Sequence, residues 1–354
     1  MKLFLTGLLF LGSLCVAQIP PGYYNSAAGL GGNALKVALH NIIKNHSSIS
    51  YNGLWTAYKK TDIKANGKVW DIYSDLPSGT APYQFSFGTD QCGTYSTEGD
   101  CYNREHSWPQ SWFNSVSGPV SDLFHIYPTD GKVNGMRNNY PYGHVGTTNW
   151  TSLNGGKLGL CSDPGFSQIV FEPIDAYKGD LARSYFYMST RYYSEDAGWT
   201  SSVATNKSNI LPWEVNVLLQ WHHLDPVSAK EIARNDSIYY RFQHNRNPFI
   251  DHPEWVDSIW QVTVFPTSIK EIGNAALFSV YPNPAEGSFQ LVNLSGDTKR
   301  VRIIVSSLNG TIVYEEERLP EAVLQIDCSG WAQGMYLVQI ISEHAVSNLK
   351  IVRN

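Results

Sequence analysis

The chain has 354 residues, a formal net charge of −5, and 42% hydrophobic against 16% charged residues. These proportions exclude a disordered or low-complexity chain, and the length leaves room for two domains with at least one sizeable core. The negative balance argues against a chain that is basic throughout, yet it describes steering and solubility and permits a local basic cleft.

Lys2 followed by the apolar run Leu3 to Val16, with Ala17 at a plausible cut, reads as a signal peptide over residues 1–17. Leu14 precedes Cys15, where a lipoprotein signal would want a small residue. No later stretch reaches the ~18 uninterrupted apolar residues of a membrane helix, so the expected product is exported without membrane insertion, with a monomer as the default. Removal of Cys15 leaves Cys92, Cys101, Cys161 and Cys328. Cys92 and Cys101 bracket a short Gly-rich polar loop in an oxidising setting and are expected to pair; Cys161 and Cys328 read as small hydrophobes rather than a pair.

Leu35, Leu39, Ile42 and Ile43 recur at helical spacing and predict a helix between about residues 29 and 45. Residues 69–73 read as a short strand closed by the turn signals of Asp75-Leu-Pro-Ser-Gly79. Residues 80–165 are rich in Gly, Pro, Asn and aromatics and predict loops and short strands, where binding residues gather. Helical patterns resume at Asp180, over Pro212 to His222, and after Asp225, read as an N-cap. After about Thr267 short alternating strands replace them, at 301–305, 310–314 and 335–340, with Asn309-Gly310 and Gln333-Gly334 as turns. The expected class is α+β: a mainly helical domain over 18–272 and a small β-sandwich over 273–354. The latter holds more Asp and Glu than Lys and Arg, so it is not a nucleic-acid arm.

Chemistry concentrates in Arg104-Glu105-His106-Ser-Trp108-Pro109 and in Asp122-Leu-Phe124-His125, followed by Tyr127-Pro-Thr-Asp-Gly-Lys132-Val-Asn134-Gly-Met-Arg137-Asn138. Neighbours in a strand point to opposite faces, but at a strand end Glu105 and His106 can approach one water from two sides. Pro128 and then Thr129 or Asp130 as N-cap start a helix of roughly two turns, with Asn134 about one turn inside. One carboxylate and one amide oxygen make a sparse site of the kind Mg²⁺ accepts beside phosphate, with Mn²⁺ or Ca²⁺ as alternatives. A neutral imidazole suits proton abstraction near neutral pH. Arg104, Lys132 and Arg137 could clamp phosphate oxygens. A zinc peptidase would want His-Glu-x-x-His, which is absent from the sequence. Trp108 and Trp112 either line a groove for a polymer or lie in the core. Asp180, Arg183 and Tyr187 either face a cleft or form a helix-surface ion pair. Against the hydrolase stands a secreted nucleic-acid-binding or adhesin-like protein on an inactive fold, which would dispense with His106, Glu105 or Asn134; all three are present.

These two segments, with Val170-Phe-Glu-Pro173, Gly179 to Met188, Asp225-Pro-Val-Ser228 and Asn245-Arg-Asn-Pro-Phe-Ile-Asp-His-Pro253, resemble the bacterial endonuclease I family over roughly residues 25 to 260. Phe124 stands where many members have histidine. The resemblance implies a periplasmic or secreted nuclease with a ββα-metal motif inside a largely helical fold. It implies His106 as general base and Glu105 and Asn134 as metal ligands; Arg137 and Arg104 are expected at the catalytic centre from their closeness in sequence, without a family match for the clamping arginine. Lys132, Asn138, Arg183, Asn245 and Arg246 are the expected substrate contacts. Such enzymes cleave DNA, often RNA too, with Mg²⁺ and little sequence preference, leaving 5′-phosphate ends. Phe278-Ser-Val-Tyr-Pro-Asn-Pro284, Leu308-Asn-Gly310 and Gly334-Met-Tyr-Leu337 resemble the C-terminal sorting domain of type IX secretion substrates. That resemblance implies a partner in the secretion machinery and a β-sandwich without catalysis.

Overall fold

The computed structural model describes residues 19–260, 278–293, 300–307, 311–319, 321–341 and 346–354. The expected signal peptide, the domain boundary near residue 272 and the Asn309-Gly310 turn lie outside the described residues. The chain divides into two compact units, Met1–Thr267 and Ser268–Asn354.

Helices and short sheets share the first unit. Helix α1 (Gly32–Ile43) buries the stripe Leu35, Leu39 and Ile43, and α2 (Leu54–Thr61) buries Leu54, Ala57 and Tyr58. Strands β1 (Tyr102–His106) and β2 (Ile126–Asp130) form an antiparallel ribbon, and β2 runs directly into α3 (Gly131–Arg137). Strands β3 (Val145–Thr151), β4 (Lys157–Cys161) and β5 (Ile169–Glu172) make a second antiparallel sheet in sequence order. Helix α4 (Lys178–Arg191) is buried at every residue. The hairpin of β6 (Thr205–Asn206) and β7 (Asn209–Ile210) leads to α5 (Pro212–Leu224), α6 (Ala229–Ile238), α7 (Pro248–Asp251) and α8 (Trp255–Ile259). Helices α1, α5 and α7 pack on α4, the centre of the aromatic-rich core to which Trp108 and Trp112 belong.

Two local expectations give way. Residues 69–73 are not a strand: Asp71 Oδ1 accepts from Tyr73 N at 2.8 Å and Asp71 Oδ2 from Ser74 Oγ at 2.7 Å, an Asx arrangement that turns the chain. Asp225 is not the cap of α6. It follows α5 and accepts from Gly179 N at 2.9 Å, while Ser228 and Glu231 form the capping box. Gly179 is where α4 touches this corner: a Cβ there would lie 2.0 Å from the Asp225 carbonyl oxygen and 2.7 Å from Arg183 Nη2. Gly179→Ala is therefore expected to cost about 2–3 kcal/mol by overpacking. Urea unfolding reads this, and an unchanged midpoint would show that the corner opens freely.

In the second unit, β8 (Phe278–Tyr281), β9 (Ser288–Asn293), β10 (Val301–Ser307), β11 (Ile312–Arg318), β12 (Val323–Asp327), β13 (Gly334–Ile341) and β14 (Val346–Arg353) form two antiparallel sheets, ordered β11-β10-β13-β14 and β12-β9-β8. Phe289, Leu291 and Ile326 of the smaller sheet share one core with Val301, Ile303, Val305, Val338 and Ile340 of the larger. Alternating inward residues from both sheets make the expected sandwich.

Candidate active site

Register builds the site. Glu105 stands opposite Tyr127 and His106 opposite Ile126. Alternation therefore places Asn103, Glu105, Tyr127 and Thr129 on one face of the ribbon, and Arg104 and His106 on the other. Asp130 ends β2 and starts α3: its side chain accepts from Val133 N at 2.8 Å, while Asp71 Oδ2 holds its own N–H at 2.8 Å. The helix so aimed covers the Glu105 face. From it, Arg137 Nη1 donates to Glu105 Oε1 at 2.8 Å, and Asn134 Nδ2 donates to Thr129 Oγ1 at 3.4 Å.

Glu105 is 3% exposed. Its Oε1 also accepts from the Tyr73 hydroxyl at 2.9 Å, whereas Oε2 accepts no hydrogen bond among the described residues. Burial pushes the carboxyl up to about 7, with Arg137 and Tyr73 pulling against it. One guanidinium thus compensates this carboxylate incompletely, and a further cation at Oε2 would complete it. Asn134 is half-buried, and its Oδ1 is likewise without a partner among the described residues. A carboxylate oxygen and an amide oxygen, both uncommitted and both on the α3 side of the ribbon, fit a hard divalent cation that keeps most of its water. Groups of three or more His, Cys, Asp or Glu suited to a metal are absent among the described residues, which leaves this sparser pair.

His106, at the end of β1, is 7% exposed. Its Nε2 lies 3.2 Å from the Val120 carbonyl oxygen and 3.1 Å from the Gln110 amide. A carbonyl can only accept, so Nε2 is assigned the proton, and the Gln110 amide, placed with its nitrogen toward the ring, is assigned the flipped orientation that puts its oxygen there. The lone pair is then on Nδ1, which has no hydrogen-bond partner among the described residues. Burial, with His125 5.5 Å away, pushes the imidazole down to about 3 and keeps it neutral. Tyr51 flanks the ring at 6.0 Å. The same tyrosine and Trp55 carry the Arg104 guanidinium at 3.6 and 4.5 Å, and Arg104 Nη1 donates to the Tyr51 carbonyl at 3.0 Å.

The remaining expected site residues separate by burial. Lys132 is half-buried and Asn138 exposed at the end of α3, both open to a ligand. Arg137 is not placed to clamp phosphate: it is fully buried, with Nη1 on Glu105 and the His106 carbonyl at 2.8 Å and Nη2 on the Ser107 carbonyl at 2.5 Å. Arg183 is also sealed, bound to Glu231 through Nε at 2.5 Å and Nη2 at 2.8 Å and to the Asp225 carbonyl. Asn245 holds the Ile43 carbonyl and Tyr187 hydroxyl, and Arg246 holds Asp251 and Asp236. These four are frame residues, because their side chains are buried and held by buried partners, out of reach of a passing strand. Asp180 and Tyr187 are likewise inside, on Lys230 and Asp122. Cys92 and Cys101 are joined by a disulfide. Cys328 is buried, while Cys161 is half-exposed and contacts Asp163 at 3.3 Å, so only Cys328 acts as a core hydrophobe.

Sequence reasoning missed Tyr73, Tyr51 and Gln110. Gln110 lies one helical turn's spacing beyond His106 and was within reach; Tyr73 was hidden by the strand reading.

The family described as Endonuclease I matches residues 31–254, and the family described as Secretion system C-terminal sorting domain matches residues 279–354. An extracellular ribonuclease of Bacillus amyloliquefaciens is 39% identical over 248 residues, 67% of this chain and 78% of its own length. An extracellular ribonuclease of Bacillus subtilis is 36% identical over 246 residues, with the same 67% and 78% shares. The endonuclease-1 of Buchnera aphidicola subsp. Baizongia pistaciae is 29% identical over 131 residues, 37% of this chain and 46% of its own.

Proposed function

The chain belongs to the endonuclease I family, and we propose that this exported nuclease hydrolyses phosphodiester bonds of DNA and RNA without sequence preference, leaving 5′-phosphate ends. Its sorting domain sends it through the type IX secretion route to the cell surface or medium. RNA enters the substrate range because its Bacillus relatives are named extracellular ribonucleases.

The observation that carries the mechanism is the adjacent pair of Glu105, with Oε2 uncommitted, and His106, whose Nε2 meets the Val120 carbonyl while Nδ1 has no partner among the described residues. His106 Nδ1 takes the proton of the attacking water while Nε2–H stays on the Val120 carbonyl, which holds the ring through the transfer. Glu105 and Asn134 would hold a divalent cation, Mg²⁺ in this reading, with Mn²⁺ and Ca²⁺ as alternatives; when bound it stabilises charge on the phosphate and the departing oxygen. Arg137 positions Glu105 and the His106 carbonyl. Arg104, on the His106 face, with Lys132 on α3 and Asn138 just past its end, contacts phosphates of a strand lying across the ribbon. Such contacts read the backbone rather than the bases.

The test is cleavage of supercoiled plasmid and of structured RNA by the full chain with Mg²⁺ and with EDTA. Both substrates are expected to be cut, EDTA to stop both reactions, and fragments to ligate without prior phosphorylation. Fragments that ligate only after kinase treatment would reject the end chemistry, and cutting that persists in EDTA would reject the metal. Substrate binding should also weaken steeply with salt.

A further inference from the structure

The loop from Cys92 to Cys101 lies along α3, apart from the reacting groups. A disulfide joins its ends. Gly131 N, the first residue of α3, donates to the Cys101 carbonyl at 2.9 Å, and Gly99 N donates to Asp130 Oδ2 at 2.8 Å. Within the loop, the Asp100 carboxylate accepts from Ser96 N at 2.8 Å and Thr97 N at 2.9 Å, so the loop is tied to itself as well as to the helix start.

Tyr95 extends from this loop along the helix. A Cβ at Gly131 would stand 2.6 Å from Cys92 Sγ and 2.7 Å from Tyr95 Cδ1, and a Cβ at Gly135 would stand 2.4 Å from the Tyr95 hydroxyl oxygen. Positions 131 and 135 are about one turn apart, so the ring lies lengthwise in a groove made by two absent side chains. Neither glycine has a positive φ; close approach, not backbone conformation, calls for glycine here. Two glycines in a helix of 7 residues also leave it a weak helix by itself. Those glycines flank Asn134, the residue α3 contributes to the metal pair.

We infer that Tyr95, pinned by the Cys92–Cys101 disulfide, is a positioning residue that holds α3 in the conformation from which Asn134 shares a cation with Glu105. The inference rests on reading Glu105 and Asn134 as that pair. Tyr95 is 40% exposed, so it adds little to the core, and its effect is local to the helix it covers.

The experiment measures Mn²⁺ binding to the full chain from the paramagnetic resonance of the free ion, beside amide exchange of α3 in metal-free protein. Tyr95→Ala is expected to weaken Mn²⁺ binding about tenfold, the scale of losing a supporting contact behind a ligand. Exchange over α3 should quicken while the thermal midpoint holds. Tyr95→Phe keeps the ring and is expected to bind as the wild type does. Gly135→Ala is the second variant, since it favours the helix yet displaces the ring; it should weaken binding in the same way. Wild-type affinity in Tyr95→Ala, or in Gly135→Ala where the first variant does not fold, overturns the inference. Glu105→Gln separates the two readings: if it binds Mn²⁺ as tightly as wild type, the metal pair itself is wrong and the inference falls with it.

Discussion

His106→Ala is expected to lower kcat for plasmid cleavage about 10³-fold, within the 10²–10⁴ range of a lost general base. The ring has Nε2 3.2 Å from the Val120 carbonyl and neighbours Tyr51 and Phe113, each at 6.0 Å, while Nδ1 has no partner among the described residues. A histidine serving only as packing would lose stability on truncation and leave kcat intact. The site predicts the reverse: Mn²⁺ affinity preserved, since Glu105 and Asn134 remain, and the chemical step crippled. Because truncation leaves a hole beside Tyr51 and Phe113, added imidazole should restore part of the rate to His106→Ala and none to Glu105→Gln. Undiminished cleavage by a folded His106→Ala protein would discard His106 as base while keeping the nuclease.

What the sequence disclosed and what it hid divide along physical lines. Elements set by neighbours in the chain were legible. These include the α1 stripe at Leu35, Leu39 and Ile43, the cap ahead of α3, read as Thr129 or Asp130 and found at Asp130, the short strands after Val301, and the pairing of Cys92 with Cys101. Asn134 one turn into α3 followed from that cap. The capping box of α6 was legible as well, because Ser228 precedes Glu231 by three residues, but Asp225 drew the reading first; both types cap well. Hidden were properties that long-range closure decides. Tyr73 reaches Glu105 from 32 residues away. Arg137, Arg183 and Arg246 read as phosphate ligands because arginine so often is one. Burial of Arg137 and Arg183 depends on Glu105 and Glu231 arriving from 32 and 48 residues away, which no local pattern encodes, whereas Arg246 pairs with Asp251 only 5 residues on. Trp108 carried two readings, and packing against Tyr185 and Trp199 puts it in the core.

Arg137→Met is expected to destabilise the protein by about 3–5 kcal/mol, the cost of leaving the other member of a buried ion pair uncompensated. Arg137 is fully buried, and Glu105 loses with it the one basic partner its carboxylate has among the described residues. The carbonyls of His106 and Ser107 lose their donors too, so the end of β1 that carries the base loosens along with the ligand. If the pair is the cause, Glu105→Gln should be worth more in the Arg137→Met background than in wild type. Replacing the stranded charge with an amide is expected to recover about 2 kcal/mol of stability there, a coupling that a double-mutant cycle reads directly. Cleavage will not recover, since the carboxylate for the cation is gone. Additive losses in the cycle would mean that Arg137 holds the two carbonyls and matters little to Glu105. The carboxylate would then owe its readiness for a cation to Tyr73 and to burial alone.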